Sequence, residues 1–289
     1  MFWQNTWKSS QCSVRTSAKL FDACLQIVET SLGAVRIMHA KFVTFTQQPK
    51  LYELSSAMMD LPYQRVAFRN YPYPAGGPRE AVAQKLKTNY PSIDANHMFH
   101  DLLQIDADWL ICIDEDAFAF APKRIQSLLE YMQAGNFVVC GVPDGGVIEH
   151  RVHNPVACNC FFTILNRKFV VETADRDLNI LATSWDESYR RYAAPFVGAE
   201  GKQFSYDYFE PYYGFFFWCC KQHLRILYLD AAAWDGEPER CSTLLKDHTG
   251  QPFLLHTWYA REYIGSHQGR IDRAMQHALK LRELDKMES

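Results

Sequence analysis

The sequence predicts an α/β fold with a mainly parallel central sheet flanked by helices, on three observations. Strand-like apolar stretches alternate with helical ones through the first half of the chain, the order that crossover helices impose on parallel strands. One stretch, DWLICID (residues 108–114), is apolar on both faces, as a strand covered from both sides must be. With 48% hydrophobic and 22% charged residues over 289 positions, the chain can bury one large core or two small ones.

The elements follow in order. Leu20, Cys24, Ile27, Val28 and Leu32 recur at helical spacing over residues 16–32, and Gly33 is placed to cap that helix. VRIMHAKFVTFT (35–46) reads as the first strand. PKLYELSSAMMDL (49–61) is helical, with Pro49 in its first turn. QRVAFRNY (64–71) is a second strand. PYPAGGPREAVAQKL (72–86) is a Gly/Pro loop running into a helix. DANHMFHDLLQI (94–105) is a further helix, with Asp94 at the N-cap. DWLICID is the third strand. PKRIQSLLEYMQAG (122–135) is a helix that opens on Pro and closes on Gly, and FVVCGV (137–142) is a fourth strand. The second half is mixed: NCFFTIL (159–165) a strand, YGFFFWCCKQHL (213–224) a buried helix, RILYLDA (225–231) a strand, and residues 266–287 a polar terminal helix. The chain therefore divides into an N-terminal helical extension (1–35), a main domain (36–260) and a C-terminal helical tail (261–289).

Composition excludes several classes of function. A net charge of −3 gives no general grip on nucleic acid or on an anionic membrane surface. The N-terminus has neither the apolar core nor the cleavage site of a signal peptide, and no window reaches the roughly 18 uninterrupted apolar residues of a membrane span. Nine cysteines at irregular spacing, with no C-x-x-C pair, read as reduced and mostly buried thiols in a cytoplasmic protein. Oligomeric state leaves no trace in the sequence.

The third strand ends abruptly in acid: LICIDEDAF places Asp114, Glu115 and Asp116 where the apolar run stops. In extended backbone, side chains alternate, so Asp114 and Asp116 share one side and Glu115 faces the other. Ligands of open α/β sheets gather at the carboxyl ends of strands. Two ionised carboxylates on one side there repel unless a cation compensates, and hard oxygens suit Mg²⁺ or Mn²⁺. The bland alternative is that these acids cap the next helix or face water.

ADWLICIDEDAF, followed by a helix and another strand, resembles the D-x-D region of GT-A-fold glycosyltransferases of the family-two type, which use nucleotide-diphospho-sugars. The likeness runs from about residue 36 to about 260, in element order more than in residue identity. It implies a GT-A (Rossmann-like) catalytic domain that transfers a sugar, with inversion, from a nucleotide-diphosphate donor to a hydroxyl on a glycan, lipid or protein. It also implies a divalent metal held by Asp116, with Asp114 on the metal shell or the ribose. His256, after the apolar run FLL, is the candidate third ligand, with His248 and His267 as lesser ones. Such an ion neutralises the charge that grows on the leaving diphosphate.

Other site residues follow from the same likeness. Thr44 and Thr46 end the first strand and Arg69 and Asn70 the second, where the base and ribose are seated. Gly76 and Gly77 let backbone approach a ligand, and Arg79 either forks onto phosphate or stays solvated before a helix. The P-loop pattern is absent. Arg225, Ile226 and Tyr228 match the strand that follows the acidic pair of inverting members. Counting back from them reaches Glu210 as general base. Pro211 replaces the second acid there, which leaves Asp207 as substitute. Asp144, Arg151, Asn154 and Asn159 are candidate sugar hydrogen-bonders, and Trp185, Tyr212, Tyr213 and Trp258 candidate stacking faces. Two alternatives stay open: a sugar-1-phosphate nucleotidyltransferase, disfavoured because VTFTQQPKLYEL lacks its Gly-rich loop, and a non-catalytic nucleotide-sugar-binding module of the same fold.

Overall fold

Two hydrogen-bonded sheets meet at the acidic triplet. The computed structural model describes residues 38–69, 99, 101–174, 179–193, 204–210 and 212–288. The expected helix at 16–32 and the Gly/Pro loop and helix at 72–86 lie outside them. The first sheet contains strands β1 (Ala40–Thr46), β2 (Gln64–Arg69), β3 (Trp109–Ile113), β5 (Val139–Pro143), β6 (Cys158–Leu165) and β7 (Ile226–Tyr228), in the order β2-β1-β3-β6-β5-β7. β1 is parallel to β2 and β3, and β5 to β7, while β6 runs antiparallel to both its neighbours. The expectation of a mixed, mainly parallel central sheet is met. The second sheet, absent from the sequence reading, is antiparallel and ordered β4-β10-β9-β8. Its members are β4 (Ala117–Ala119), β8 (Ala231–Ala233), β9 (Thr243–Lys246) and β10 (Pro252–His256).

The helices are α1 (Pro49–Met58), α2 (Lys123–Ala134), α3 (Arg167–Thr173), α4 (Tyr213–Lys221) and α5 (Gln268–Glu288). α2 buries Ile125, Leu128, Leu129 and Met132, one stripe at helical spacing. α4 is apolar on every side, and Tyr213 through Cys220 are all buried. They share one core cluster with Leu110 of β3 and Val139 of β5, so this helix is an interior element. Among the described residues no helix is long and apolar enough to cross a membrane. The described cysteines are free thiols, most of them buried or half-buried.

β3 sits between β1 and β6, with Leu110 and Ile111 wholly buried, which agrees with its two apolar faces. Two local expectations change. RILYLDA is not one strand: after Tyr228 the chain leaves the first sheet, and Ala231–Ala233 pair with β9 in the second. Asp230 makes the break, since its carboxylate takes the Ala231 N–H at 2.9 Å and the Lys246 ammonium at 3.0 Å. Likewise, residues 114–116 form a turn in which the Ala117 N–H reaches the Asp114 carbonyl at 3.2 Å. The chain passes here from β3 in one sheet to β4 in the other, and continuous extended backbone cannot make that crossing.

Candidate metal centre

The turn at the end of β3 separates the three acids by environment. Glu115 is buried and points back under β1. Its Oε2 accepts the backbone N–H groups of Gln47 at 2.9 Å and Gln48 at 2.7 Å, and the Thr46 hydroxyl. Asp114 and Asp116 converge on the opposite side with His256. One ligand atom from each of the three lies within 4.8 Å of the others. His256 Nε2 is 3.2 Å from Asp116 Oδ1 and 3.7 Å from Asp114 Oδ2.

Strand register brings His256 there. β4 begins one residue after Asp116, and β10 pairs with it antiparallel so that His256 stands opposite Ala117. Thr257 then closes on the same acid. Its N–H donates to the Asp116 carbonyl at 3.1 Å, and its hydroxyl to Asp116 Oδ2 at 3.1 Å. The imidazole lies flat on Phe161, ring centroids 4.3 Å apart, with Trp258 4.5 Å away on a tilt. Asp116 and His256 are each 2% exposed, and Asp114 is half-buried, so the cluster is reached from the Asp114 side. Burial acts to raise the Asp116 pKa. The His256 charge and the hydrogen bonds from His256 and Thr257 outweigh it and hold the carboxyl below its ordinary value.

The donor set fits a divalent ion: two carboxylates and an imidazole, the hard-to-borderline mixture that Mn²⁺ accepts. The His256 Nε2 faces the acids, and its Nδ1 is buried with no hydrogen-bond partner among the described residues.

A second polar cluster centres on Asp144. Asp144 is fully buried at the end of β5 and accepts from Asn159 Nδ2 at 2.8 Å, from Arg151 Nη2 at 2.7 Å, and from the Tyr213 hydroxyl. The Arg151 guanidinium reaches Glu210 at 3.7 Å and lies 5.5 Å from the ring centres of Phe209 and Trp258. Trp258 therefore links the two clusters. Gly145 permits the loop that returns Arg151 to Asp144, because a Cβ there would sit 1.9 Å from the His153 carbonyl oxygen. Asp207 pairs with His153 Nδ1 at 3.3 Å, and Asn154 donates to its carbonyl at 3.2 Å.

Cys160 is the one exposed residue of β6. Desolvation by the surrounding wall, then the negative charges of Asp114, Glu210 and Asp144, push its thiol well above the ordinary value.

The other sequence candidates lie as follows. Thr44 and Thr46 are buried at the end of β1. Arg69 ends β2, with its side chain outside the described residues, as are Asn70, Gly76, Gly77 and Arg79. His248 stacks on Tyr131 at 4.2 Å and His267 on Tyr259 at 4.8 Å, and neither belongs to the metal cluster. Trp185 packs with Tyr206 and Phe217. Sequence reasoning missed Thr257, which could have been found as the hydroxyl next to His256.

No family model matches this chain, and no curated protein sequence matches it. Among solved structures it is similar to a mannosyltransferase from Pyrobaculum calidifontis in complex with GDP-Man and Mn2+, at 12% identity and a TM-score of 0.31, over 54% of this chain and 55% of that one. It is similar to a protein from STIV at 17% identity and a TM-score of 0.31, over 75% of this chain and 94% of that one. It is also similar to a glycosyltransferase involved in the glycosylation of the major capsid of PBCV-1, at 12% identity and a TM-score of 0.28, over 58% and 81% of the two chains. The chain spans about half the length of the mannosyltransferase.

Proposed function

We propose that this protein is a metal-dependent glycosyltransferase of the GT-A type, which moves a sugar from a nucleotide-diphosphate donor to an acceptor hydroxyl with inversion. The observation that supports the reading best is the convergence of Asp114, Asp116 and His256 at the carboxyl end of the central strand β3. That is where the D-x-D resemblance expects a divalent ion, and where open α/β sheets bind their ligands. On this reading residues 36–260 form the catalytic domain.

Asp114, Asp116 and His256 would hold Mn²⁺ or Mg²⁺. Such an ion would neutralise the charge that develops on the departing diphosphate. Glu210 takes the proton of the acceptor hydroxyl, and Arg151, itself anchored on the buried Asp144, fixes its carboxylate. Asp207 is the substitute base, oriented by His153. Asn159 and Tyr213 each donate to Asp144, so the part of these three in substrate binding is to present Arg151.

The test is a panel of nucleotide-diphosphate sugars incubated with Mn²⁺ or with EDTA, with release of the nucleoside diphosphate as readout. Wild type should release it from at least one donor with Mn²⁺ only, and both Asp116→Asn and Glu210→Gln should lose that release. Tight metal-assisted nucleotide binding with no turnover on any donor would favour the non-catalytic binding module, which Pro211 at the second acid position allows. Absence of both nucleotide binding and turnover would sink the reading.

A further inference from the structure

We propose that Arg270 is a positioning residue for the metal centre: from helix α5 it holds the turn after β10 in the one conformation that keeps His256 and Thr257 on Asp116. The proposal rests on the reading of Asp114, Asp116 and His256 as metal ligands.

The turn is strained. Trp258 has φ 61° and Tyr259 φ 62°, two successive non-glycine residues in the left-handed region. An L side chain there meets the following carbonyl, so such a pair persists only where surrounding contacts fix it. A strand ending at His256 would otherwise run on extended, and Thr257 would swing away from Asp116.

Arg270 supplies that fixing contact. Its side chain is 3% exposed, although it belongs to a helix whose other face meets solvent. Nη1 donates to the Thr257 carbonyl and Nη2 to the Trp258 carbonyl at 2.8 Å, so one planar group spans two successive peptides. The guanidinium is anchored in turn. Nη1 reaches Ser242 Oγ at 3.0 Å and lies 3.6 Å from Glu237 Oε2, while Nε donates to His267 Nδ1 at 3.3 Å. Glu237 is 2% exposed and also takes the backbone N–H and the hydroxyl of Ser242. The Trp258 indole N–H adds a bond to Thr243 Oγ1 at 2.9 Å.

The Thr257 peptide is thus gripped from both sides. Arg270 holds its carbonyl, and its N–H and hydroxyl hold Asp116. Only arginine fits this position: the rigid fork meets two acceptors at once and stays charged against Glu237, whereas a lysine ammonium is a single point donor. Groups that hydrogen-bond a metal ligand from behind tune metal affinity by about 10- to 100-fold; Thr257 stands in that relation to Asp116, and Arg270 acts one step further back, through the Thr257 carbonyl.

The experiment measures Mn²⁺ affinity by calorimetry and the visible spectrum of the Co²⁺-loaded protein, for wild type, Arg270→Lys and Arg282→Lys. Arg282 is the comparator, since it too is buried on α5 but pairs with Asp285 at 2.9 Å, away from the turn. Arg270→Lys should weaken Mn²⁺ by about tenfold or more and shift the Co²⁺ bands. Arg282→Lys should lower the unfolding temperature and leave both readouts as in wild type. Because Arg270→Lys strains a buried ion pair, the double variant Arg270→Gln with Glu237→Gln removes both charges together and should give the same loss of affinity. In wild type, which needs no variant to fold, Mn²⁺ should slow amide exchange over residues 257–259. Unchanged affinity and spectrum in a folded Arg270 variant, or exchange at 257–259 indifferent to Mn²⁺, overturns the positioning role while the metal reading stands. Wild type that binds no Mn²⁺ overturns both.

Discussion

Glu115 Oε2 accepts the backbone N–H of Gln48 at 2.7 Å, and so fastens the start of α1 to the end of β3. With the Gln47 N–H and the Thr46 hydroxyl it gathers three donors on one oxygen. The acid between the two proposed ligands is therefore a structural clamp. Glu115→Ala leaves these donors without an acceptor and should lower unfolding free energy by about 3 kcal/mol, whereas Glu115→Gln, which keeps one acceptor oxygen, should lose about 1 kcal/mol. Urea unfolding of the three proteins measures both. Equal stability of wild type and the alanine variant would refute the clamp.

Asp116 should carry the metal response. An ion that binds only the folded chain stabilises it by about 2.7 kcal/mol at 100 times its dissociation constant. Wild type should show that gain in thermal unfolding with Mn²⁺, reversed by EDTA, and Asp116→Asn should show none. A full shift in the variant would mean that the ion binds elsewhere.

What could be read in the sequence depended on the range of each interaction. β3, α2 and α4 declare themselves, because runs such as LICI and FFFWCC fill a core whatever lies beside them. The opposed directions of Glu115 and its two neighbours were also visible, although a turn rather than a flat strand produces them. The second sheet was not visible. AFA and AAA are too short to show a period, and pairing with distant strands makes them β structure. Arg270 was hidden for a related reason: its principal acceptors are main-chain carbonyls of Thr257 and Trp258, which have no letter in the sequence.

Thr257 offers a subtler test. Its hydroxyl donates to the Asp116 carboxylate at 3.1 Å in a buried setting, and valine reproduces its shape without that bond. Thr257→Val should cost about 1–2 kcal/mol in the metal-free protein and weaken Mn²⁺ by about tenfold. Calorimetry alongside urea unfolding separates the two effects. Unaltered metal affinity would show that Asp116 is held well enough by His256 and the Thr257 backbone.

Asp247 governs a pH response away from the site. Burial acts to raise its pKa. Hydrogen bonds from Thr249, Gln251 and Arg124, the last at 2.9 Å, overcome that and hold it below the ordinary value. A depressed folded pKa means stabilisation that is fully present above the unfolded value, about 3.9, and is lost as pH falls through the lower folded value. Asp247→Asn should therefore be less stable than wild type at neutral pH, with the gap closing in acid. Urea titrations at neutral pH and in the acid range would decide it, and a gap independent of pH would disprove the assignment.

The crossing between the two sheets sets the order in which the molecule can become competent. Asp116 and His256 are 140 positions apart, and His256 arrives only when β10 has found β4. A chain stopped short of β10 would own both acids and still lack the third donor and the Thr257 brace. An ion seated there would report that two segments 140 positions apart have met. Capture of Mn²⁺ would thus serve as a final inspection of the fold, passed by the finished chain and failed by its fragments.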